Sequence, residues 1–147
     1  MEISIASIED LEILAELFDC YRLFYKQTSN RSAARTFLEE RLKTNDSVIF
    51  KANDKGSVVA FTQLYPSFSS VAMRRIWILN DLYVNEAYRR KGLGKLLMDA
   101  AENYARDTGA IKMILATQIS NAAAQKLYEA RGYLKDKEFH HYSLRLP

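Results

Sequence analysis

Asp81-Leu82-Tyr83-Val84-Asn85-Glu86-Ala87-Tyr88-Arg89-Arg90-Lys91-Gly92-Leu93-Gly94-Lys95 runs from an apolar strand, through a basic turn with two glycines, into a helical pattern. Over Arg75 to Val84 the residues Ile76, Ile78, Leu82 and Val84 alternate with Trp77, Leu79 and Tyr83, so both faces are apolar and the strand belongs in the middle of a sheet. The glycines let a ligand approach the backbone, and the first helical turn has N–H groups without intrahelical acceptors. With the helix dipole behind them, these donors make an anion site, to which Arg89, Arg90, Lys91 and Lys95 add charge. A pyrophosphate fits that description. Two other phosphate motifs do not fit the letters: Arg89 stands where Walker A needs its first glycine and Leu96 where it needs Ser or Thr, and Leu97 replaces the third glycine of a dinucleotide fingerprint.

Outward from this stretch, the pattern predicts a first strand over Glu2 to Ala6, with Ser7 and Asp10 as a reciprocal cap. A helix follows with Leu11, Leu14, Phe18, Tyr21 and Tyr25 on its buried stripe, flanked by Leu17 and Phe24. Asn30 or Ser32 starts a second helix that ends near Asn45. Ser47 to Ala52 and Ser57 to Tyr65 form a hairpin about Asn53-Asp54-Lys55-Gly56, with Pro66 closing the second strand before a Ser-rich loop over Ser67 to Met73 that carries Phe68. Past the basic turn, Leu93 to Thr108 is an amphipathic helix stopped by Gly109, with Leu93, Leu97, Ala101, Tyr104 and Ala105 inward, joined by Leu96 and Ala100. Ile111 to Thr117 is strand-like, Ala122 to Ala130 is a short helix, and Tyr133 to Leu146 holds one or two final strands. The class is α/β (α+β) in the order βααβββαβαββ, with one central sheet.

Composition narrows the function. The 147 residues fit one domain over 1–147, and 48% hydrophobic with 27% charged residues is a globular mixture. With a net charge of only +3, the clustering of Arg89, Arg90, Lys91 and Lys95 at one turn suits a compact polyanion better than nucleic acid, which needs a wider basic face. Cys20 is the only cysteine, so no intramolecular disulfide forms. No basic-then-apolar leader and no 18-residue apolar run is present, which leads to the expectation of a cytoplasmic protein without membrane contact. The adjacent His140 and His141 lack Cys or acidic companions, so no metal site is expected.

Arg89-x-x-Gly92-x-Gly94 resembles the R/Q-x-x-G-x-G/A signature of the GNAT superfamily of acetyl-CoA-dependent N-acetyltransferases. A second block, Asn121-x-x-Ala124-x-x-Leu127-Tyr128-x-x-x-Gly132-Tyr133, is similar to that family's later segment, and Asp81-Leu82-Tyr83-Val84 resembles its splayed fourth strand. The resemblance covers Arg75 to Tyr133. It implies a central, mixed, mostly antiparallel sheet flanked by about four helices. It also implies that acetyl-CoA lies along Leu82, Tyr83 and Val84, with its pyrophosphate on Arg89, Arg90, Lys91, Gly92, Leu93, Gly94 and Lys95, and with Asn121 and Ala124 as further contacts. In the family's pattern the acetyl carbonyl sits beside Leu82 and Tyr83, where a free N–H serves an oxyanion.

The chemistry needs an amine deprotonated, an oxyanion stabilised and a thiolate protonated. Tyr128 matches the family's tyrosine and is the candidate acid, since a phenol of pKa about 10 can protonate a thiolate; packing on the sheet is its other reading. Asn121 can contact the pantetheine arm, cap the following helix, or both. Asp81 is a carboxylate in an apolar strand and needs a partner, either the substrate ammonium or a structural arginine such as Arg74 or Arg75. Some relatives carry a Glu base at about the position of Asn80; its absence here leaves a water relay from Asp81. Tyr25 and Tyr65 are candidates to line an amine pocket through cation–π contacts, or else belong to the core. The expected reaction is acetyl transfer to a primary amine of a small molecule (polyamine, amino acid or similar) in a ternary complex. A CoA-binding regulatory domain without turnover and a protein acetyltransferase acting on lysines or N-termini are the alternatives. A homodimer with the terminal strands at its interface is expected.

Overall fold

In the computed structural model, which describes residues 1–147, the chain forms two units, Met1–Ala116 and Thr117–Pro147. The first contains strands β1 (Glu2–Ile5), β2 (Val48–Asp54), β3 (Ser57–Ser69), β4 (Arg74–Val84) and β5 (Lys112–Leu115) and helices α1 (Leu11–Phe24), α2 (Arg31–Thr44) and α3 (Leu93–Asp107). The five strands lie in chain order across one sheet, antiparallel except for the parallel β4–β5 pair. This is the mixed, mostly antiparallel sheet expected, with β4 flanked by strands on both sides.

Local chemistry sets the element ends. The β2–β3 turn places Lys55 and Gly56 at φ 50° and 86°, the paired left-handed residues that suit a tight hairpin. Ser7 N–H donates to Asp10 Oδ2 at 2.9 Å, closing the reciprocal cap ahead of α1. Of the two candidate caps for α2, Asn30 is used: its Oδ1 accepts from Ala33 N–H at 3.1 Å. Asp19 of α1 accepts from Ser29 Oγ at 2.6 Å and from Asn30 N–H at 2.7 Å, tying the inter-helix loop down. These bonds, the Ser29 hydroxyl first, hold the Asp19 carboxyl below the usual carboxylate range.

The two faces of the sheet are covered by different helices. Ile49 clusters with Leu14, Phe18 and Leu38 of α1 and α2, whereas the next residue, Phe50, meets Tyr104 of α3 edge-on at 5.7 Å. Consecutive strand residues point to opposite faces, so α1 and α2 cover one and α3 the other. Leu11, Leu14, Leu17 and Phe18 are buried from α1, each contributing about 1.5–3 kcal/mol of apolar transfer. From α3, Leu93, Leu97, Met98, Ala101 and Ala105 are buried, while Leu96 is exposed.

Two expectations are corrected. Pro66 does not end β3: the strand continues to Ser69, with Pro66 opposite Trp77. Strand β2 has already left the ladder at Leu64, so the missing proline N–H falls on an open edge where nothing requires it. The final strands over Tyr133 to Leu146 do not form either. In the second unit, α4 (Ala122–Ala130) is followed by residues 133–147 with no ladder. Their alternating apolar pattern favours a strand, but a strand needs an edge to pair with.

Candidate active site

Strand β4 outruns β5. The last β4–β5 pair is Leu79 with Leu115, so Asn80 to Val84 project beyond it with one edge unpaired. The β3–β4 register shifts between Gln63 and Leu64: Gln63 faces Asp81 and Leu64 faces Leu79, leaving Asn80 as the extra residue of a bulge. Asn85 N–H donates to Val59 C=O at 2.8 Å, which fixes the phase of the ladder. By alternation, Tyr83 spends its main-chain groups on Phe61, whereas those of Leu82 and Val84 turn away from β3 to the open edge. Of the two residues singled out beside the acetyl carbonyl, Leu82 therefore has the available N–H.

The turn after β4 is built to collect donors. Arg90 and Gly92 adopt left-handed φ of 63° and 81° with Lys91 between them, an alternation that turns successive N–H groups to one side. Gly92 is the N-cap of α3 and offers no side-chain cap, and the first bond of the helix is Leu96 N–H to Gly92 C=O at 3.2 Å. No acceptor in the chain takes the N–H groups of Arg90 to Lys95. A Cβ built on Gly92 would meet nothing within 4 Å, so the space in front of the turn is open. These donors fit the diphosphate of coenzyme A.

The four cations divide. Arg89 Nε donates to Val84 C=O at 2.9 Å, and its guanidinium lies 5.4 Å from the ring centres of both Phe24 and Tyr83. Lys91 Nζ rests 5.3 Å from the Tyr88 ring centre. Arg90 and Lys95 are exposed. The end of α1 completes this region: Tyr25 packs edge-on against Tyr21 at 5.0 Å, and Tyr21 in turn against Tyr83 at 6.0 Å.

Asp81 is held by amides. It is 4% exposed, with Oδ2 accepting from Gln63 Nε2 at 2.9 Å and Oδ1 from Asn80 Nδ2 at 3.2 Å. Gln63 is fully buried and its Oε1 accepts from Ser47 Oγ at 2.9 Å; Thr62 Oγ1 donates to Asp81 C=O at 2.7 Å. The arginine alternatives are not used: Arg74 donates to Gly109 C=O at 3.1 Å, and Arg75 lies 4.7 Å from the Phe68 ring centre and 5.2 Å from that of Trp77. Tyr65 lines a cavity of about 600 Å³ with Phe37, Arg41, Asp46 and Pro66. Burial, and then the Asp81 charge, push its phenol up to about 12. Tyr25 and Tyr65 thus belong to different clusters, one at the end of α1 and one against α2.

In the second unit, Asn121 Oδ1 accepts from Ala124 N–H at 3.1 Å and caps α4, leaving its Nδ2 for a ligand. Tyr128 is buried, with its ring 6.0 Å from that of Tyr133. Gln63 and Ser47 beside Asp81, and Arg41 beside Tyr65, are candidate-site neighbours that sequence reasoning missed. Gln63 carried a readable signal: an amide between Thr62 and Leu64 in a strand otherwise apolar must be paired when buried.

A strand that outruns its neighbour, a bulge and an amide-rich turn ahead of a helix can hold a diphosphate-bearing cofactor, and comparison with known proteins supplies the family. Residues 12–133 match the acetyltransferase (GNAT) family, to which the chain belongs, so it is an N-acetyltransferase, an acyltransferase. It is 46% identical over 147 residues to the uncharacterized N-acetyltransferase YhfO of Bacillus subtilis, covering 100% of this chain and 99% of that one. The D-amino-acid N-acetyltransferase HPA3 of Saccharomyces cerevisiae is 28% identical over 133 residues, 88% of this chain and 82% of its own. A crystal structure of a probable acetyltransferase superposes with a TM-score of 0.94 at 43% identity, covering 100% of this chain and 99% of that one. Acetyltransferases of this family use acetyl-CoA. No helix is long and apolar enough to cross a membrane.

Proposed function

We propose that this acetyltransferase moves the acetyl group of acetyl-CoA to a primary amine of a small molecule such as a polyamine or amino acid, by direct attack with both substrates bound. The observation that carries the reading is the run of unbonded N–H groups from Arg90 to Lys95 around two left-handed residues. Acetyl-CoA supplies an acetyl group activated as a thioester. The Arg90 to Lys95 amides hold its diphosphate, with Arg90 and Lys95 adding charge. The open edge at Leu82 and Val84 pairs with the pantetheine arm as an added strand would, and Leu82 N–H donates to the developing oxyanion. Asn121 contacts the cofactor through Nδ2, beside Ala124. Tyr128 is assigned the proton for the departing thiolate, and Asp81, which is buried, accepts the amine's proton through a water.

For the acceptor, the recess at Tyr65 sets the Arg41–Asp46 ion pair, Nε to Oδ1 at 2.7 Å, against aromatic surface. The recess is largely open to solvent, and its volume of about 600 Å³ leaves room for a small amine. The named activity of the yeast relative on D-amino acids is in keeping with such a substrate. The deciding experiment offers purified protein acetyl-CoA with a panel of amino acids, polyamines, aminoglycosides and peptides and follows free thiol. Turnover with small amines supports the reading, and turnover confined to peptides replaces it with a protein acetyltransferase. Failure of calorimetry to detect CoA or acetyl-CoA removes the cofactor site.

A further inference from the structure

A line of polar side chains crosses the sheet from the start of β2 to the bulge of β4. Gln63 of β3 stands opposite Ile49 of β2 on one side and Asp81 of β4 on the other, and Ser47, two residues before Ile49, reaches the same face. Ser47 Oγ donates to Gln63 Oε1 at 2.9 Å, and Gln63 Nε2 donates to Asp81 Oδ2 at 2.9 Å. The polarity of this line is set by its end. A carboxylate only accepts, so the N–H end of the amide faces Asp81 and its carbonyl is left for the hydroxyl. Gln63 is fully buried, and that carbonyl has Ser47 for its side-chain partner. The backbone that carries Ser47 is anchored in turn: Asn45 has a left-handed φ of 56° at the end of α2, its N–H donates to Arg41 C=O at 3.0 Å, and Arg41 Nε donates to Asp46 Oδ1 at 2.7 Å. The other carboxylate oxygen of Asp81 is held by Asn80, the extra residue of the bulge, at the longer distance of 3.2 Å. Gln63 is thus the firmer support of Asp81, and Ser47 is what fixes Gln63.

We propose that Ser47 is a positioning residue for acetyl transfer: its hydroxyl holds the Gln63 amide, and the amide holds the Asp81 carboxylate in the orientation from which it serves the acceptor amine. This rests on the role given to Asp81 under the proposed function. Without the hydroxyl, the buried Gln63 carbonyl loses its partner, and the amide turns to find another, drawing its N–H away from Asp81. A carboxylate so displaced costs rate, since proton transfer depends on its placement. Cofactor affinity is untouched, because the amides assigned to the diphosphate, Arg90 to Lys95, lie on a different segment from this line.

The test compares wild type, Ser47→Ala and Ser47→Thr as full chains, with acetyl-CoA and the most active amine of the panel above. Ser47→Ala is expected to lower kcat by about tenfold with the KM for acetyl-CoA unchanged, and Ser47→Thr, which keeps the hydroxyl, to recover most of that loss. NMR of the Gln63 side-chain amide protons follows the same line without turnover. Wild type and Ser47→Thr should show two distinct, slowly exchanging signals, and Ser47→Ala should lose that protection. A wild-type kcat in Ser47→Ala overturns the inference. So does a loss that Ser47→Thr fails to recover, or one matched by a rise in the KM for acetyl-CoA, since either marks a packing role. Unaltered Gln63 signals in Ser47→Ala overturn it as well. A wild type silent towards every amine fails the proposed function instead, and the Gln63 signals then decide on their own whether Ser47 holds the amide.

Discussion

Gln63 donates its side-chain amide to Asp81 Oδ2 at 2.9 Å across the β3–β4 bulge, with both side chains buried. An uncompensated carboxylate in such a place is costly, so the pair behaves as one unit. Gln63→Leu should destabilise the fold by about 3 kcal/mol, and Gln63→Leu/Asp81→Leu should recover more than half of that, since removing both partners leaves no orphan. Urea denaturation of the three proteins closes the cycle. Equal stability of wild type and Gln63→Leu would show that the amide is dispensable.

At Gly92 the φ of 81° makes any L-residue strained, yet no neighbour lies within 4 Å of its would-be Cβ. Gly92→Leu should cost about 1–2 kcal/mol of stability and leave the chain folded. Its side chain would stand in front of the amide row, and calorimetry should find acetyl-CoA binding abolished. Undiminished affinity would place the diphosphate elsewhere.

Tyr128→Phe keeps the buried ring against Tyr133 and removes only the hydroxyl. Turnover should fall at least about tenfold with the KM for acetyl-CoA kept, the mark of a group acting in the transition state. An unchanged kcat would return Tyr128 to a packing role.

The Tyr65 phenol titrates at about 12 in the folded chain against 10.0 in the unfolded one. Between those values the unfolded state releases a proton that the folded state retains, so stability is intact below 10 and falls as pH rises towards about 12. Tyr65→Phe should flatten that part of the stability–pH curve and remove a step of tyrosinate absorbance near pH 12. An alkaline titration unaffected by the substitution would refute the assignment.

Much of this was legible because local signals agreed with the fold. The apolar faces of Arg75 to Val84 placed β4 between neighbours, Asn53 to Gly56 marked the β2–β3 hairpin, and Arg89-x-x-Gly92-x-Gly94 marked the anion turn. What escaped notice depended on other strands. Pro66 is tolerated because β2 has already stopped, and Asp81 finds Gln63 through a register shift that no single strand encodes. The residues after Asp136 alternate as a strand would yet form no ladder, something periodicity cannot register.

The bond from Arg89 Nε to Val84 C=O gives the first position of the glycine signature a mechanical meaning. It works as a latch, closing the end of one strand onto the loop that follows and setting the angle at which the amide row faces outward. A glutamine can throw the same latch with its side-chain amide, which accounts for a signature that accepts Arg or Gln. The bond engages Nε alone, so under the proposed cofactor reading the guanidinium keeps its charge beside those of Arg90 and Lys95.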